Sequence, residues 1–369
     1  MFKAVVRKRA ALGGFALAFT PGFNVANVGA VADQVSLAYG VGLAVVGLFT
    51  TGLFVTHAAL QVPMGRLCDR FGARVVGGTG LVIVACASAA ALGWKDAWFA
   101  IGMRLVAGVG TAASFVAGAE YTRATIGSAV AQGVYGAVSM AGGGLALALV
   151  PLWGSWQAPF ATAAIVAAAG VVLVLLAPAE PARAPVMRGL ATVVDRRLLP
   201  LAAMHAASFG LSVVIGNWVV TLLHRAGGEP ERVAGLAGGL VLFLGLISRP
   251  LGGRLINRPG IIRASFVVSG LGIAALSLAK PLPLAIAAAA VVGIAAGIPF
   301  APAFAGAQRL RPDAPGAAVG FVNMIAAATI LVGTPLLGLT FSLPGDGRIG
   351  FLVVAALCCA TAAGVRSRV

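Results

Sequence analysis

Gly65-Arg66-Leu67-Cys68-Asp69-Arg70-Phe71-Gly72 is followed, 188 residues later, by Gly253-Arg254-Leu255-Ile256-Asn257-Arg258-Pro259-Gly260. Five of the eight positions are identical, and the offset is about half of the 369-residue chain. A repeat at that period describes a duplicated architecture. Around these two polar turns the chain is strongly apolar: 60% of residues are hydrophobic, only 10% are charged, and the mean hydropathy is +1.01. A soluble domain carries about a quarter charged residues, so a soluble enzyme is excluded.

A membrane-crossing helix needs about 20 predominantly apolar residues. The apolar runs predict twelve, at about 10–32, 40–63, 75–94, 97–119, 128–150, 158–177, 199–222, 233–253, 263–279, 284–306, 317–340 and 349–365. The longest polar connection, 178–198, holds Pro178, Pro181, Pro185 and four arginines. It divides the chain into an N-terminal six-helix half (1–177) and a C-terminal one (199–369), with both repeated turns on the side of this linker. Of the 26 Lys and Arg, only Lys95, Arg225, Arg232, Lys280 and Arg348 fall on the opposite side, while Arg104 and Arg249 lie within helices. All the others share the side of the N-terminus. That asymmetry predicts a multi-pass protein of the cell membrane, inner or plasma, with both termini cytoplasmic. The net charge of +16 is then a topology signal rather than a footprint for nucleic acid. Lys3 and Arg7 to Arg9 before an apolar run that ends Ala30-Val31-Ala32 imitate a cleavable signal. The run is longer than such a segment and holds Asn24 and Asn27, so it is expected to stay as the first helix. Cys68, Cys86, Cys358 and Cys359 fall in helices or on the cytoplasmic side, where no disulfide is expected.

The first turn, Gly65-x-Leu67-x-Asp69-Arg70-x-Gly72-x-Arg74, resembles the loop signature of the major facilitator superfamily. Arg104-Leu-x-x-Gly108-x-Gly110 is similar to that family's fourth-helix motif, Glu120 to its acidic partner, and Trp156-x-x-x-Phe160 to the start of its sixth helix. The resemblance runs the length of the chain. It implies an all-α membrane protein of twelve helices in two pseudo-symmetric halves, working by alternating access. It also implies that Gly65, Asp69, Arg70, Gly72 and Arg74, together with Arg104 and Glu120, serve a cytoplasmic gate, with Gly253, Asn257 and Arg258 as the second copy. Physically, glycines let the turn approach neighbouring helix ends, and Asp69 can sit against a helix N-terminus, where an anion is favoured. Asn257 replaces the acid in the second copy, so only the first can make the charged contact.

All ten acids lie outside the helix centres. A mid-membrane carboxylate relay therefore has no residue to run it, and basic and polar groups are what remain. Arg249 lies about 6 Å from the cytoplasmic end of the eighth helix, and its side chain tilts toward the helix N-terminus, into the bilayer interior. An arginine there marks either an anion site or a structural contact. Its repeat mate is Gln61, predicted to face it at equal depth across the pseudo-twofold axis. Arg249-Pro-Leu-Gly-Gly also resembles the eighth-helix element of the nitrate/nitrite porter branch, in which arginines on the second and eighth helices clamp the anion. Gln61-Val-Pro63 keeps the proline of the matching element without its arginine.

His57 and Gln61 share one face of the second helix with Thr50, and His57 is the candidate titrating group. Thr20, Asn24 and Asn27 form a stripe on the first helix. Ser208 and Ser212 are the mates of Thr20 and Asn24 on the seventh, near His205, and Asn323 and Thr334 sit on the eleventh. Each either lines the pathway or bonds neighbouring helices. The predicted substrate-contacting set is Arg249, Gln61, His57, Asn24, Asn27, Asn323 and His205. The function expected is secondary transport of a small anion, with a proton or a counter-anion as coupling partner. No enzyme activity and no cofactor are expected, and the partners are the solute and the lipid bilayer around a single chain. The alternatives are efflux of amphipathic compounds and a non-transporting membrane sensor on the same fold.

Overall fold

The computed structural model describes residues 2–180, 195–311 and 315–365. These form seventeen α-helices and, among the described residues, no strand. The helices are α1 (Phe2–Ala26), α2 (Ala32–Tyr39), α3 (Leu43–Ala59), α4 (Gln61–Phe71), α5 (Ala73–Ala90), α6 (Ala97–Thr125), α7 (Ala129–Leu149) and α8 (Ala158–Leu176). After the linker come α9 (Leu199–His205), α10 (Leu211–Arg225), α11 (Glu231–Phe243), α12 (Gly245–Arg254), α13 (Pro259–Leu276), α14 (Leu282–Gly297), α15 (Phe300–Leu310), α16 (Pro315–Leu339) and α17 (Arg348–Gly364). Most of the predicted linker, 181–194, lies outside the described residues.

Among the described residues, ten spans are long and apolar enough to cross a membrane, or eleven when α3 and α4 are taken as one bent span. The remaining predicted crossing, α17, is helical but only 17 residues long. Outward faces are apolar, as lipid requires. On α8, Ile165, Val172, Leu175 and Leu176 are 55–68% exposed. Three helices outrun their apolar stretches, and α4 continues as helix through the first repeated motif, expected as a turn, to Phe71. The basic cluster Lys3 to Arg9 is already part of α1, and α6 runs to Thr125, past Glu120 and Arg123, whose i,i+3 ion pair supports the extra turn.

Helix ends follow local chemistry. Asp96 caps α6 by accepting from the Phe99 N–H at 2.7 Å, and Ser128 caps α7 by accepting from Ala131 N–H at 3.1 Å. Asp195 starts the turn into α9 and is held well below the usual carboxylate range by hydrogen bonds from the Arg197 side chain and N–H.

Four spans are interrupted within their length, one of them with a sharp bend. α3 meets α4 at Leu60 with a 50° bend, three residues before Pro63, which cannot donate to the preceding turn. α11 meets α12 at Leu244. Pro299 caps α15 at the break from α14. Between α9 and α10 the chain makes a π-turn over Ala206–Gly210, which the sequence did not signal. α1 packs against α6, α7 and α8; α5 against α6 and α8; and α13 against α14 and α17. Across the midpoint of the chain, α3 packs on α16, and α7 on α11 and α12.

Candidate functional site

The polar residues sort into three groups at different levels of the bundle. At the first repeated turn, Gly72 adopts φ +87°, a conformation that favours glycine, and α5 starts immediately after it. The acid at that helix start is Glu180, whose carboxylate accepts from Arg74 N–H at 3.1 Å. The Arg74 side chain in turn donates to Val174 O at 3.0 Å and to Leu175 O at 2.6 Å, carbonyls at the end of α8. Glu180 and Arg74 thus tie the start of α5 to the end of α8, each charge on the helix terminus that favours it.

The Asp69 side chain lies outside the described residues. Arg70 stacks over Phe71 at 5.0 Å, Glu120 pairs with Arg123 at 2.8 Å, and Gly65 lies near Val116. Arg70, Arg74, Glu120 and Glu180 rim a cavity of about 720 Å³ walled by Val75, Val82 and Leu175. The second copy differs locally. α12 stops at Arg254, shortly after the half-buried Gly253, and Asn257 and Arg258 are exposed. Pro259 then starts α13, which takes Arg258 out of the helical region (φ −119°, ψ 69°). Glu180→Ala is expected to lower stability by about 1 kcal/mol, the worth of a charged N-terminal cap, read as a fall in the thermal midpoint.

Arg104 anchors the second group. It is 2% exposed, with Nε donating to Phe49 O at 3.2 Å, Nη1 to Asn24 Oδ1 at 3.1 Å and Nη2 to Asn24 O. It points inward rather than to an interface, because the α3 and α1 carbonyls lie within its reach. Asn24 Nδ2 donates to Thr20 O at 3.0 Å. Asn27 donates to Pro159 O at 2.8 Å and accepts from Val28 N–H. Both asparagines are therefore occupied in holding α1 to α6 and α8. Nearby, Thr50 donates to Asn217 Oδ1 at 2.9 Å, joining α3 to α10.

The third group is centred on Arg249, 1% exposed on α12. Nη1 donates to Gly136 O on α7 at 2.8 Å, and the guanidinium carbon lies 3.9 Å from the Phe300 ring centre and 5.5 Å from that of Phe209. Nε and Nη2 are buried and have no partner among the described residues. Gly136 is needed for this arrangement, since a Cβ there would overlap the Phe300 ring. His205 Nε2 is 3.1 Å from Asn323 Oδ1, while His205 Nδ1 and Asn323 Nδ2 are buried without partners. The imidazole stacks on Phe209 at 5.3 Å and contacts Phe304 at 4.7 Å and Phe300 at 5.3 Å. Phe209 leads on to Phe115 at 6.4 Å, and Phe115 to His57 at 5.9 Å. His57 Nδ1 is 3.0 Å from Thr111 Oγ1, whose own proton goes to Gly108 O. Gln61 Nε2 donates back to His57 O at 3.0 Å, satisfying backbone beside the Leu60 bend.

Of the predicted set, Arg249, His205 and Asn323 are thus brought into one cluster, His57 reaches it through the rings of Phe115 and Phe209, and Gln61 bonds only the His57 backbone. No hydrogen bond joins Gln61 to Arg249 among the described residues. Asn24 and Asn27 belong to the Arg104 group. Sequence reading missed Glu180, Asn217, Gly136 and the ring set of Phe115, Phe209, Phe300 and Phe304. Only Phe300 and Phe304, spaced i,i+4 beside Pro299, carried any pattern.

The cluster offers four unpaired polar atoms. Nε and Nη2 of Arg249 lie on one edge of the guanidinium, the edge that engages a carboxylate through two parallel hydrogen bonds. Asn323 Nδ2 is a further donor. Stacked rings on the remaining sides suit a flat or apolar body.

A comparison with curated proteins gives no significant sequence match. Among solved structures, the nucleoside transporter NupG, crystallised as a point mutant, superposes with a TM-score of 0.76 over 97% of this chain and 98% of that one, at 15% identity. The sequence model of the Major Facilitator Superfamily matches residues 14–334, a stretch that takes in the first Gly65-to-Gly72 turn, its second copy and the whole Arg249 cluster. The chain belongs to the major facilitator superfamily of membrane transporters.

Proposed function

We propose that this transporter carries a small organic anion, a compact carboxylate with a flat or apolar body, and binds it at the unpaired Nε–Nη2 edge of Arg249. That edge is the carrying observation. A buried guanidinium with two unused donors is a costly arrangement, and an anion arriving there supplies both acceptors and the opposite charge. No carboxylate hydrogen-bonds Arg249 among the described residues, so the solute would be its counter-charge. Asn323 Nδ2 supports the same carboxylate, and Phe209, Phe300 and Phe304 bracket the body. In this reading, halves 1–177 and 199–369 rock about the cluster as a monomer with both termini cytoplasmic. The Gly65-to-Gly72 turn acts as gate, and a proton or counter-anion drives the cycle.

NupG is a nucleoside transporter by name, and its likeness to this chain is one of fold. A neutral nucleoside would leave the Arg249 charge uncompensated, although a purine edge with two acceptors could span the same donors. Both classes belong in one experiment: thermal unfolding of purified protein against monocarboxylates, inorganic monoanions, nucleosides and lipophilic cations. Ligand at 100 times its Kd stabilises by about 2.7 kcal/mol. Monocarboxylates are expected to stabilise the wild type and to leave Arg249→Ala unmoved. Stabilisation by nucleosides alone, or equal stabilisation of wild type and variant by anions, overturns the reading.

The gate makes a separate prediction. Asp69→Asn is expected to slow turnover severalfold in proteoliposomes while equilibrium binding stays constant, because a gate contact biases the conformational cycle and does not touch the solute. An unchanged transport rate removes Asp69 from the gate.

A further inference from the structure

The face of the bundle opposite the repeated turns carries a group of side chains that the transport reading does not use. Asp33 opens α2, His224 ends α10 one residue before Arg225, and Glu231 opens α11. One ligand-type atom from each of Asp33, His224 and Glu231 lies within 4.8 Å of the other two, and all three residues are half-buried. His224 Nδ1 is 2.7 Å from Glu229 O. A carbonyl only accepts, so Nδ1 carries the proton and the ring's lone pair sits on Nε2. This outer hydrogen bond is the kind that fixes the tautomer of a metal-binding histidine. Gln34, next to Asp33, donates through Nε2 to Glu231 Oε2 at 2.6 Å, while its Oε1 is buried without a partner. A carbonyl oxygen without a hydrogen-bond partner among the described residues, beside two carboxylates and an imidazole, is a second feature suited to a cation. Arg225 holds Asp33 Oδ1 from outside through Nε at 3.1 Å, which fixes the carboxylate and places one positive charge against the group.

We propose that Asp33, His224 and Glu231 form a binding site for a divalent transition metal of the zinc type, with Gln34 Oε1 as a fourth ligand. One imidazole with two carboxylates is a zinc donor set, whereas calcium and magnesium take oxygen alone. Bonds of about 2.1 Å would set ligand atoms about 3.4 Å apart, so side-chain rotations of about 1.5 Å close the site without backbone movement. Asp33 precedes the linker and the other two ligands follow it, so a bound ion ties α2 to α10 and α11. Where this face must open for transport, as the alternating-access reading requires, zinc holds it shut and inhibits.

The test needs no transported solute, so it succeeds or fails apart from the carboxylate reading. Purified full-length protein competes for Zn²⁺ with a chromophoric chelator. The wild type is expected to take up one ion per chain. Asp33→Asn, His224→Gln and Glu231→Gln are each expected to bind it about tenfold more weakly or worse, a loss that even outer-sphere partners produce. Arg225→Gln, which removes the opposing charge, is expected to bind it more tightly, an outcome that misfolding cannot imitate. Each variant is checked for an unchanged gel-filtration profile. A wild-type chain that takes up no zinc, or a folded His224→Gln variant with wild-type zinc affinity, overturns the site.

Discussion

Arg249→Met is expected to abolish solute uptake and, at the same time, to raise the thermal midpoint by several degrees. The two effects share one cause. Arg249 is held by one hydrogen bond to Gly136 O, worth about 1.5–3 kcal/mol for a charged donor. Stacking over Phe300 at 3.9 Å adds about 2 kcal/mol in a desolvated setting. Against these stand the several kcal/mol of burying an uncompensated charge and the two unpaired donors, about 1–3 kcal/mol each. The balance favours an apolar side chain of similar volume, and such replacements of buried charge are neutral or stabilising by about 1–4 kcal/mol. Met keeps the contact with Phe209 and Phe300 and leaves only Gly136 O without its donor. Binding moves the other way, since losing one partner of a buried charge pair costs about 2–5 kcal/mol, thirtyfold or more in affinity. Arg249→Lys is also expected to lose binding, because an ammonium has no two-donor edge. Thermal unfolding and equilibrium binding of the two variants check both halves of the prediction. A midpoint lowered by several degrees in Arg249→Met would make Arg249 a structural residue.

What was legible in the sequence was whatever depends on hydropathy and period. The first copy of the repeat forms the end of α4, with Gly72 just before α5, and the second joins α12 to α13. Ten of the predicted crossings reappear among the described residues as long apolar helices, and the α3–α4 pair as a bent one, because burial in lipid imposes those patterns on any spanning segment. Arg249 was legible for the same reason: a lone cation in an apolar run needs an explanation wherever it points. The rest depends on what three-dimensional packing brings together. Glu180 sits at the edge of a proline-rich linker, and only the return of α8 to the start of α5 makes it a helix cap. The first copy of the repeat was expected to place Asp69 at such a helix start, and Glu180 occupies the start of α5. The rings of Phe115, Phe209 and Phe300 are apolar filler in one dimension and become a cage only when α6, the π-turn and α15 meet. Gln61 and Arg249 are mates by offset, yet the Gln61 amide donates to His57 O beside the Leu60 bend, and no hydrogen bond joins it to Arg249 among the described residues. Pseudo-symmetry of sequence does not carry over to hydrogen bonds where one copy of the span is kinked.

Both Arg104 and Arg249 lie within apolar helices, and the structure gives them opposite surroundings; Arg104→Met is the second large expected effect, with the reverse sign of the first. Every nitrogen of the Arg104 guanidinium donates to a buried oxygen, namely Phe49 O, Asn24 Oδ1 and Asn24 O. Removing it deletes three hydrogen bonds to buried oxygens, and breaking a buried network by deleting one partner costs about 3–5 kcal/mol. The damage extends to α1, because Asn24 loses the contact that orients it beside Thr20, and to the approach of α6 to α3, where a Cβ at Gly108 would already meet the Thr56 hydroxyl. Arg104→Met is therefore expected to lower the thermal midpoint by several degrees and to reduce the yield of folded protein. Carboxylates should still stabilise whatever folds, by the same increment as in the wild type. The two variants measured together separate the roles: an unpaired donor edge marks the residue that waits for a ligand, and a completed one marks the residue that holds helices. If Arg104→Met were neutral for stability and lost carboxylate binding, that criterion would be wrong for this bundle, and the solute pathway would pass between α1 and α6 instead of through the Arg249 cluster.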